Sequence, residues 1–320
     1  MIKNKKIFIT GGAGFIGSHL SKALIENSNQ IVLFDNLKRN AAQRMLKDFA
    51  GKYELVQGDV TNYSQVEAEL IKHQPTHIVH AAGIAGIDTV TKTPVQTMSV
   101  NYDGTANVLA ASIHLPELER LVCLSTSEIF GANADKPNEF SDAVVGAVGE
   151  PRWVYAASKL AAEHLTFAYH VQHKIKAVSL RPFNVYGPAQ VGEGALSAFI
   201  YRAIRDQDIT IHNNGEQVRS WCYVDDMVQG ITRALEIEEA CGKAFNIGSP
   251  IDTLNMKDLA KLVIEAIGAK SKIIHQERAG ADVLMRMPDI EYTKKILGFE
   301  PKTRLLEGIK LTAEDYRSQL

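Results

Sequence analysis

Cysteine is scarce in this chain and carries no chemical pattern: Cys123, Cys222 and Cys241 are the only three, far apart and without a C-x-x-C pair. An odd, scattered set excludes a disulfide framework and a cysteine-based metal site, and reads as buried thiols in a reducing compartment. Long apolar runs are missing as well. Met1 to Lys6 is basic, but only Ile7, Phe8 and Ile9 follow before Thr10 and the first glycines, and no later stretch approaches the roughly 18 apolar residues of a membrane span. The expectation is a soluble, cytoplasmic protein without a signal peptide or bound metal. Neither sign of charge dominates: 35 Lys and Arg stand against 37 Asp and Glu, a net charge of −2. With no basic stripe or basic amphipathic helix, nucleic acids and membrane surfaces are not expected partners. Linkers, repeats and low-complexity tracts are also lacking, so the 320 residues, 45% hydrophobic, are expected to form one large domain or two unequal, interleaved ones.

Glycine, by contrast, is concentrated where it matters. Ile7-Phe8-Ile9-Thr10 runs into Gly11, Gly12, Gly14 and Gly17, after which Phe15, Ile16, Leu20 and Leu24 fall at helical spacing. This is a strand, a tight turn and the start of a helix. The glycines permit the turn, let backbone N–H groups approach a pyrophosphate and allow close packing of helix on strand. The helix N-terminus then favours the phosphates. A second apolar strand, Ile31 to Phe34, ends in Asp35, whose carboxylate suits ribose hydroxyls and repels a 2′-phosphate, so NAD is favoured over NADP. Tyr53 to Asp59 reads as a third strand, with Asp59 placed either to meet the adenine edge or to cap the next helix. His77 to Gly83 reads as a fourth, buried strand in which Ala81 and Ala82 leave room for a ligand and His80 is structural rather than catalytic. Pro94 opens a helix running through Asn101, and Leu121 to Ser125 is a fifth strand. The alternation of uniformly apolar strands with helices predicts a doubly wound, parallel α/β sheet of the Rossmann type, binding ligands past the carboxyl ends of its strands.

Chemistry gathers downstream. The fifth strand ends in Ser125-Thr126-Ser127-Glu128, and Tyr155-Ala156-Ala157-Ser158-Lys159 heads a later helix, its spacing of four placing Tyr155 and Lys159 on one face. A phenol with a pKa near 10 is a poor base at neutral pH, but a neighbouring ammonium and a positive nicotinamide favour its phenolate. Lys159 is also suited to hold the nicotinamide ribose, and the Thr126 hydroxyl to share the substrate's reacting oxygen.

With these motifs in place, the chain resembles the extended short-chain dehydrogenases/reductases of the nucleotide-sugar epimerase, dehydratase and decarboxylase group. The resemblance runs from T-G-G-A-G-F-I-G through Y-A-A-S-K, R-P-F-N-V-Y-G-P (181 to 188) and R-S-W-C-Y-V-D-D (219 to 226). It implies an NAD-binding Rossmann domain, here expected over 1–180. A smaller nucleotide-sugar domain is expected mainly over 181–320, with about 220–250 returning to the Rossmann sheet. It also implies a tightly held NAD recycled in each turnover, a UDP-sugar substrate by default, and a homodimer. Thr126, Tyr155 and Lys159 take the catalytic positions. NAD is expected to meet Gly11, Gly14, Phe15, Ile16, Gly17, Asp35, Asn36, Asp59, Val60, Ala81, Ala82, Asn101, Tyr155 and Lys159. Ser127, Asn184, Arg219 and Arg278 are expected to meet the sugar or diphosphate, where two guanidiniums can each fork onto two oxygens. The helix over Val191 to Ile204 is expected to cover the nucleotide base.

The reaction is narrowed by neighbours of the triad. A carboxylic acid is missing at 127, which argues against the dTDP-glucose type of 4,6-dehydratase, and Glu128 is unusual for a simple 4-epimerase. Ser-Thr-Ser-Glu is similar to UDP-glucuronate decarboxylases and also to GDP-mannose 4,6-dehydratase. Pro151-Arg152-Trp153 resembles the segment before the tyrosine in the bacterial decarboxylase serving aminoarabinose synthesis. Arg286, in R-M-P-D-I, resembles the place where those decarboxylases carry an arginine needed for chemistry. UDP-glucuronate decarboxylation is therefore the leading expectation. The segment Gly83-Ile84-Ala85-Gly86-Ile87-Asp88 lacks the decarboxylases' proline- and tyrosine-containing loop and looks more like that of 4-epimerases. Epimerisation of a UDP-hexose or UDP-uronate stays as the alternative, and 4,6-dehydration of a nucleotide sugar as the next.

Overall fold

The computed structural model describes residues 2–278 and 282–320. Its first half alternates β1 (Lys6–Thr10), α1 (Phe15–Ile25), β2 (Gln30–Asp35), α2 (Ala42–Met45), β3 (Tyr53–Gln57), α3 (Tyr63–His73), β4 (His77–His80), α4 (Ile87–Lys92), α5 (Pro94–Met98), α6 (Gly104–Ser112) and β5 (Arg120–Leu124). After β6 (Asn133–Asp135) come α7 (Val154–His173), β7 (Ala177–Pro182), β8 (Val185–Tyr186), α8 (Ala195–Ala203), β9 (Ile209–His212), β10 (Val218–Ser220) and β11 (Cys222–Tyr223). The chain ends with α9 (Val224–Glu236), β12 (Ala244–Ile247), β13 (Thr253–Asn255), α10 (Met256–Ile267), β14 (Ile273–Gln276), β15 (Met285–Met287), α11 (Glu291–Leu297) and α12 (Leu305–Arg317).

Seven parallel strands form the main sheet in the order β12-β7-β5-β4-β1-β2-β3. Its inner strands are mostly apolar on both faces because both faces are covered, whereas the edge strand β3 leaves Glu54, Leu55 and Gln57 exposed. Ile7 and Ile9 point into a core shared with Leu20 and Leu24 of α1 and with Met227 and Ile231 of α9. Phe8, between them, points to the opposite core with Val66 and Leu70 of α3 and Val108 of α6. The chain leaves β1 for β2 and β3 on one side and returns to β4 on the other. The resulting crevice above β1 and β4 is the ligand-binding switch point of such sheets.

A second core gathers Leu196, Phe199, Ile200, Ile209, Trp221, Leu259 and Ile309 from the C-terminal half. Beside it lies a small sheet ordered β13-β10-β15-β6, in which β10 runs antiparallel to β13 and parallel to β15. The chain crosses between the two bodies in both directions: β12 joins the large sheet, and β6, from the first half, joins the small one. Three residues are too few for β6 to show a period in sequence. The helix opened by Pro94 also departs from a plain α-helix, because Ser99–Asp103 is wound as a π-helix between α5 and α6. All three cysteines are free, and burial pushes the Cys123 thiol up to about 11. Among the described residues no cluster of His, Cys, Asp or Glu is arranged to hold a metal, and no helix is long and apolar enough to cross a membrane.

Candidate active site

The glycine turn forms a cradle. Gly11 has φ +66°, and a Cβ there would strike Ala82 N at 2.6 Å; at Gly17 it would collide with the Gly11 carbonyl oxygen. At Gly14, by contrast, the space is open apart from Gly11 O at 3.1 Å. Gly14 is the N-cap of α1 and contributes no side-chain cap, so the first N–H groups of the helix, on Phe15 and Ile16, are left for a ligand. Asp35, only 8% exposed, accepts from Ala13 N (3.0 Å) and Leu37 N (2.7 Å) at the end of β2. Burial pushes its carboxyl above the ordinary range against the pull of these N–H groups, and unused lone pairs remain for ribose hydroxyls. An open, uncapped helix start beside a buried carboxylate fits a dinucleotide.

The other expected cofactor contacts have varied surroundings. Asn36 accepts from Lys38 N in an exposed loop. Asp59 accepts from the amide and hydroxyl of Thr61, while Asn62 caps α3 by accepting from Gln65 N. Val60 is buried against Gly104. Ala81 and Ala82 donate to the carbonyl and hydroxyl of Thr10, respectively. Buried His80 lies between the Thr10 hydroxyl (2.7 Å) and the Thr105 hydroxyl (3.0 Å), its pKa lowered to about 3 by burial and by Lys159. It is a neutral structural histidine. Asn101, in the π-turn, accepts from Ile84 N (2.8 Å) and donates to Ile84 O and the Ser158 hydroxyl, pinning the loop after β4 to α7.

Thr126 follows β5 and caps the turn Ser127–Phe130, its hydroxyl accepting from Glu128 N at 3.1 Å. One helical turn separates Tyr155 from Lys159, whose Nζ donates to Leu124 O at 2.8 Å. A Cβ at Gly83 would come within 3.2 Å of that Nζ, so the loop after β4 closes directly over the lysine. Burial raises the Tyr155 phenol to about 12, although the Thr126 hydroxyl pulls the other way, and lowers the Lys159 ammonium to about 8. At neutral pH this chain alone therefore holds a neutral phenol beside a charged but desolvated lysine.

Facing these groups is a cluster of arginines. Arg286, 3% exposed, donates to Glu128 Oε1 (3.0 Å) and to Gly131 O (3.1 Å). Its register partner on the adjacent strand is Arg219, which among the described residues donates to the backbone carbonyls of Val218 (2.9 Å) and Val283 (2.6 Å). Burial lowers Arg219 to about 10, with Arg286 adding to the effect. Arg152 is the member that sequence reasoning named only as part of a motif. It sits just before α7 with its guanidinium 5.5 Å over the Trp153 ring, its Nε is buried without a partner among the described residues, and burial lowers its pKa. Its signal in the sequence was Pro151-Arg152-Trp153 itself. Ser127 is buried beside the cluster, and Asn184, at φ +39°, donates to Ser220 O at 2.8 Å. Arg278 is paired with Asp88 in the first turn of α4 at 2.7 Å. The rest of its motif, 279–281, lies outside the described residues.

Residues 7–248 match the family described as the NAD dependent epimerase/dehydratase family. The chain is 37% identical to UDP-glucuronic acid decarboxylase 3 of Arabidopsis thaliana, over 99% of this chain and 90% of that protein. It is 29% identical to a UDP-N-acetyl-alpha-D-glucosaminuronate decarboxylase of Bacillus cytotoxicus, over 98% of each. Its fold is similar to that of the UDP-glucuronic acid 4-epimerase of Bacillus cereus, solved with UDP-glucuronic acid and NAD: TM-score 0.89, 26% identity, 98% of this chain and 100% of that one.

Proposed function

Since this chain belongs to the NAD dependent epimerase/dehydratase family, we propose that it oxidises C4 of a UDP-linked uronic acid and releases its carboxyl group as carbon dioxide. The observation that carries this reading is the Glu128–Arg286 pair at 3.0 Å, with Arg152 beside it, its buried Nε without a hydrogen-bond partner among the described residues. Such a site offers positive charge for a carboxylate and a proton carrier a short distance away.

Bound NAD supplies the acceptor and donor of hydride at C4. Tyr155 takes the proton of the 4-hydroxyl, with the Lys159 ammonium favouring the phenolate and Thr126 sharing the reacting oxygen. Oxidation leaves the 6-carboxylate β to a ketone. Arg152 and Arg286 orient that carboxylate; when the C5–C6 bond breaks, its electron pair passes into the C4–C5 enolate, whose oxygen faces Thr126 and Tyr155. Glu128, protonated from solvent, delivers that proton to C5 and is left as the carboxylate that Arg286 holds. Arg219 and Asn184 hold the diphosphate and sugar, with Arg278 in reserve at the rim. The relatives named as uronate decarboxylases support the reading.

The test is to incubate the purified protein with UDP-glucuronate and NAD and to follow CO2 and product mass, with UDP-N-acetylglucosaminuronate as the parallel substrate. CO2 release with a product lighter by that mass is expected. A second reading, 4-epimerisation of a UDP-uronate, draws on the side-chain-poor loop Gly83–Ala85–Gly86 over Lys159. An unchanged mass with a new C4 epimer would establish it instead. We further propose a cytoplasmic homodimer. The exposed apolar residues Val95 and Met98 of α5, Ile113 beyond α6 and Val171 of α7 support such an interface. The division at about residue 180 is likewise proposed as the functional one, NAD held before it and the nucleotide sugar mainly after it.

A further inference from the structure

The geometry points to a strap: Arg39, Thr89 and Glu193 close over the cofactor crevice and make NAD captive. Three segments distant in sequence meet there. The first, following β2, is tied to the floor of the cradle, because Ala41 N and Ala42 N donate to Ala13 O at 2.7 and 3.1 Å. From it Arg39 reaches across to the loop after β4, donating to Ala85 O (3.3 Å) and to the Thr89 hydroxyl (3.2 Å). That loop is held from beneath by Asn101. The third segment precedes α8 and is anchored where Ala189 N donates to Asp315 (2.9 Å). From it Glu193 accepts from Asp88 N and Thr89 N, each at 2.8 Å, and from the Thr89 hydroxyl at 2.5 Å.

Thr89 thus relays between a guanidinium on one bank and a carboxylate on the other. The crossing is built for close approach. Gly86 (φ +106°) and Gly192 (φ +94°) stand where a side chain would block it: a Cβ at Gly86 would lie 2.7 Å from Glu193 Cδ, and one at Gly192 2.6 Å from Arg39 Nη1. β2 and β4 flank β1 in the sheet, so bonds between the segments that follow them cross past the end of β1, which runs into the glycine turn. A dinucleotide lying on that cradle with its ribose at Asp35 can leave only after these bonds open. Captivity suits a cofactor that is oxidised and reduced within one turnover and need not exchange. The inference rests on the chain's being an NAD enzyme, not on which sugar it takes.

The experiment loads the full-length protein with radiolabelled NAD, chases with excess unlabelled NAD and collects protein on filters, with no sugar nucleotide present. Wild type is expected to hold label for many minutes, and Glu193→Ala and Arg39→Met to release it about ten- to a hundredfold faster. Thr89→Val, which removes only the relay hydroxyl, serves if either variant fails to fold, and is expected to release label about tenfold faster. Release at the wild-type rate from these variants, or release from wild type within seconds, would overturn the strap. Because no sugar is added, absence of CO2 production from UDP-uronates would count against the proposed reaction and leave this outcome untouched.

Discussion

Lys159→Met is expected to inactivate the NAD-loaded enzyme and to make the cofactor-free protein more stable at neutral pH. The ammonium is 5% exposed, and burial lowers its pKa from the ordinary 10.5 to about 8. Its folded pKa therefore lies below its unfolded one. Below pH 8 both states are protonated and the native state bears the full penalty; between about 8 and 10.5 the unfolded chain binds more protons, so stability from this group rises with pH. At 1.36 kcal/mol per pH unit the penalty at pH 7 is about 3 kcal/mol. Methionine fills the same space without charge, but Leu124 O loses its 2.8 Å partner, which costs about 1–2 kcal/mol. The net gain is about 1–2 kcal/mol at pH 7. With an unfolding entropy of about 2 cal/mol/K per residue, that is a rise in Tm of about 2–3 °C. At pH 10, where the wild-type penalty has shrunk to about 1 kcal/mol, the advantage should vanish or reverse. Thermal melts followed by circular dichroism at pH 7 and pH 10 read this directly. A variant less stable than wild type at pH 7, or a difference unchanged between the two pH values, would refute the reasoning.

Tyr155→Phe should fold normally, retain NAD and lose about 10²–10⁴ in kcat, read as NADH-linked absorbance and CO2 release. Glu128→Gln keeps an acceptor for Arg286 but cannot carry the proton, so CO2 release should fall about a hundredfold or more while UDP affinity, followed by calorimetry, changes little. Arg152→Met should raise KM for UDP-glucuronate about ten- to a hundredfold and leave the affinity for UDP-glucose, which has no carboxylate, nearly unchanged; Arg152→Lys should recover part of the loss. Equal weakening toward both sugars would assign Arg152 to the diphosphate instead.

The cofactor half of the molecule was legible because its signals are local. A glycine turn between an apolar strand and an amphipathic helix, an aspartate at the next strand end and a Tyr-x-x-x-Lys pair are each read within a few residues. The parallel sheet follows from strands apolar on both faces. The substrate half is built from pairings between distant segments, and these leave little trace. Nothing near Glu128 announces that Arg286, across the fold, will pair with it, and three-residue strands such as β6 and β15 are shorter than any period can reveal. Arg152 was visible only as a neighbour of the tyrosine, because its burial beside Arg286 with an Nε unbonded among the described residues is a property of three-dimensional surroundings. Asp59 shows the opposite difficulty: either role was compatible with its place at a strand end, and its turn with Thr61 appears only in the fold.

The arginine cluster also explains why the small sheet is shaped as it is. Like charges set directly opposite on neighbouring strands are unfavourable, yet Arg219 and Arg286 are register partners on β10 and β15. A sheet selected for stability alone would separate them. Glu128 bonds one of the two charges, while the other donates to carbonyl oxygens and feels Asp282 and Glu128 only through space; Arg152 adds a third guanidinium that, among the described residues, no carboxylate bonds. In the proposed function, that positive charge meets a ligand that brings both a diphosphate and a carboxylate. A neutral UDP-hexose would leave part of that charge unmatched within a buried site, whereas a UDP-uronate supplies the missing anion next to Glu128. In the proposed reaction that unmatched charge selects an acidic sugar, the guanidiniums orienting its carboxylate while Arg286 holds the proton carrier Glu128.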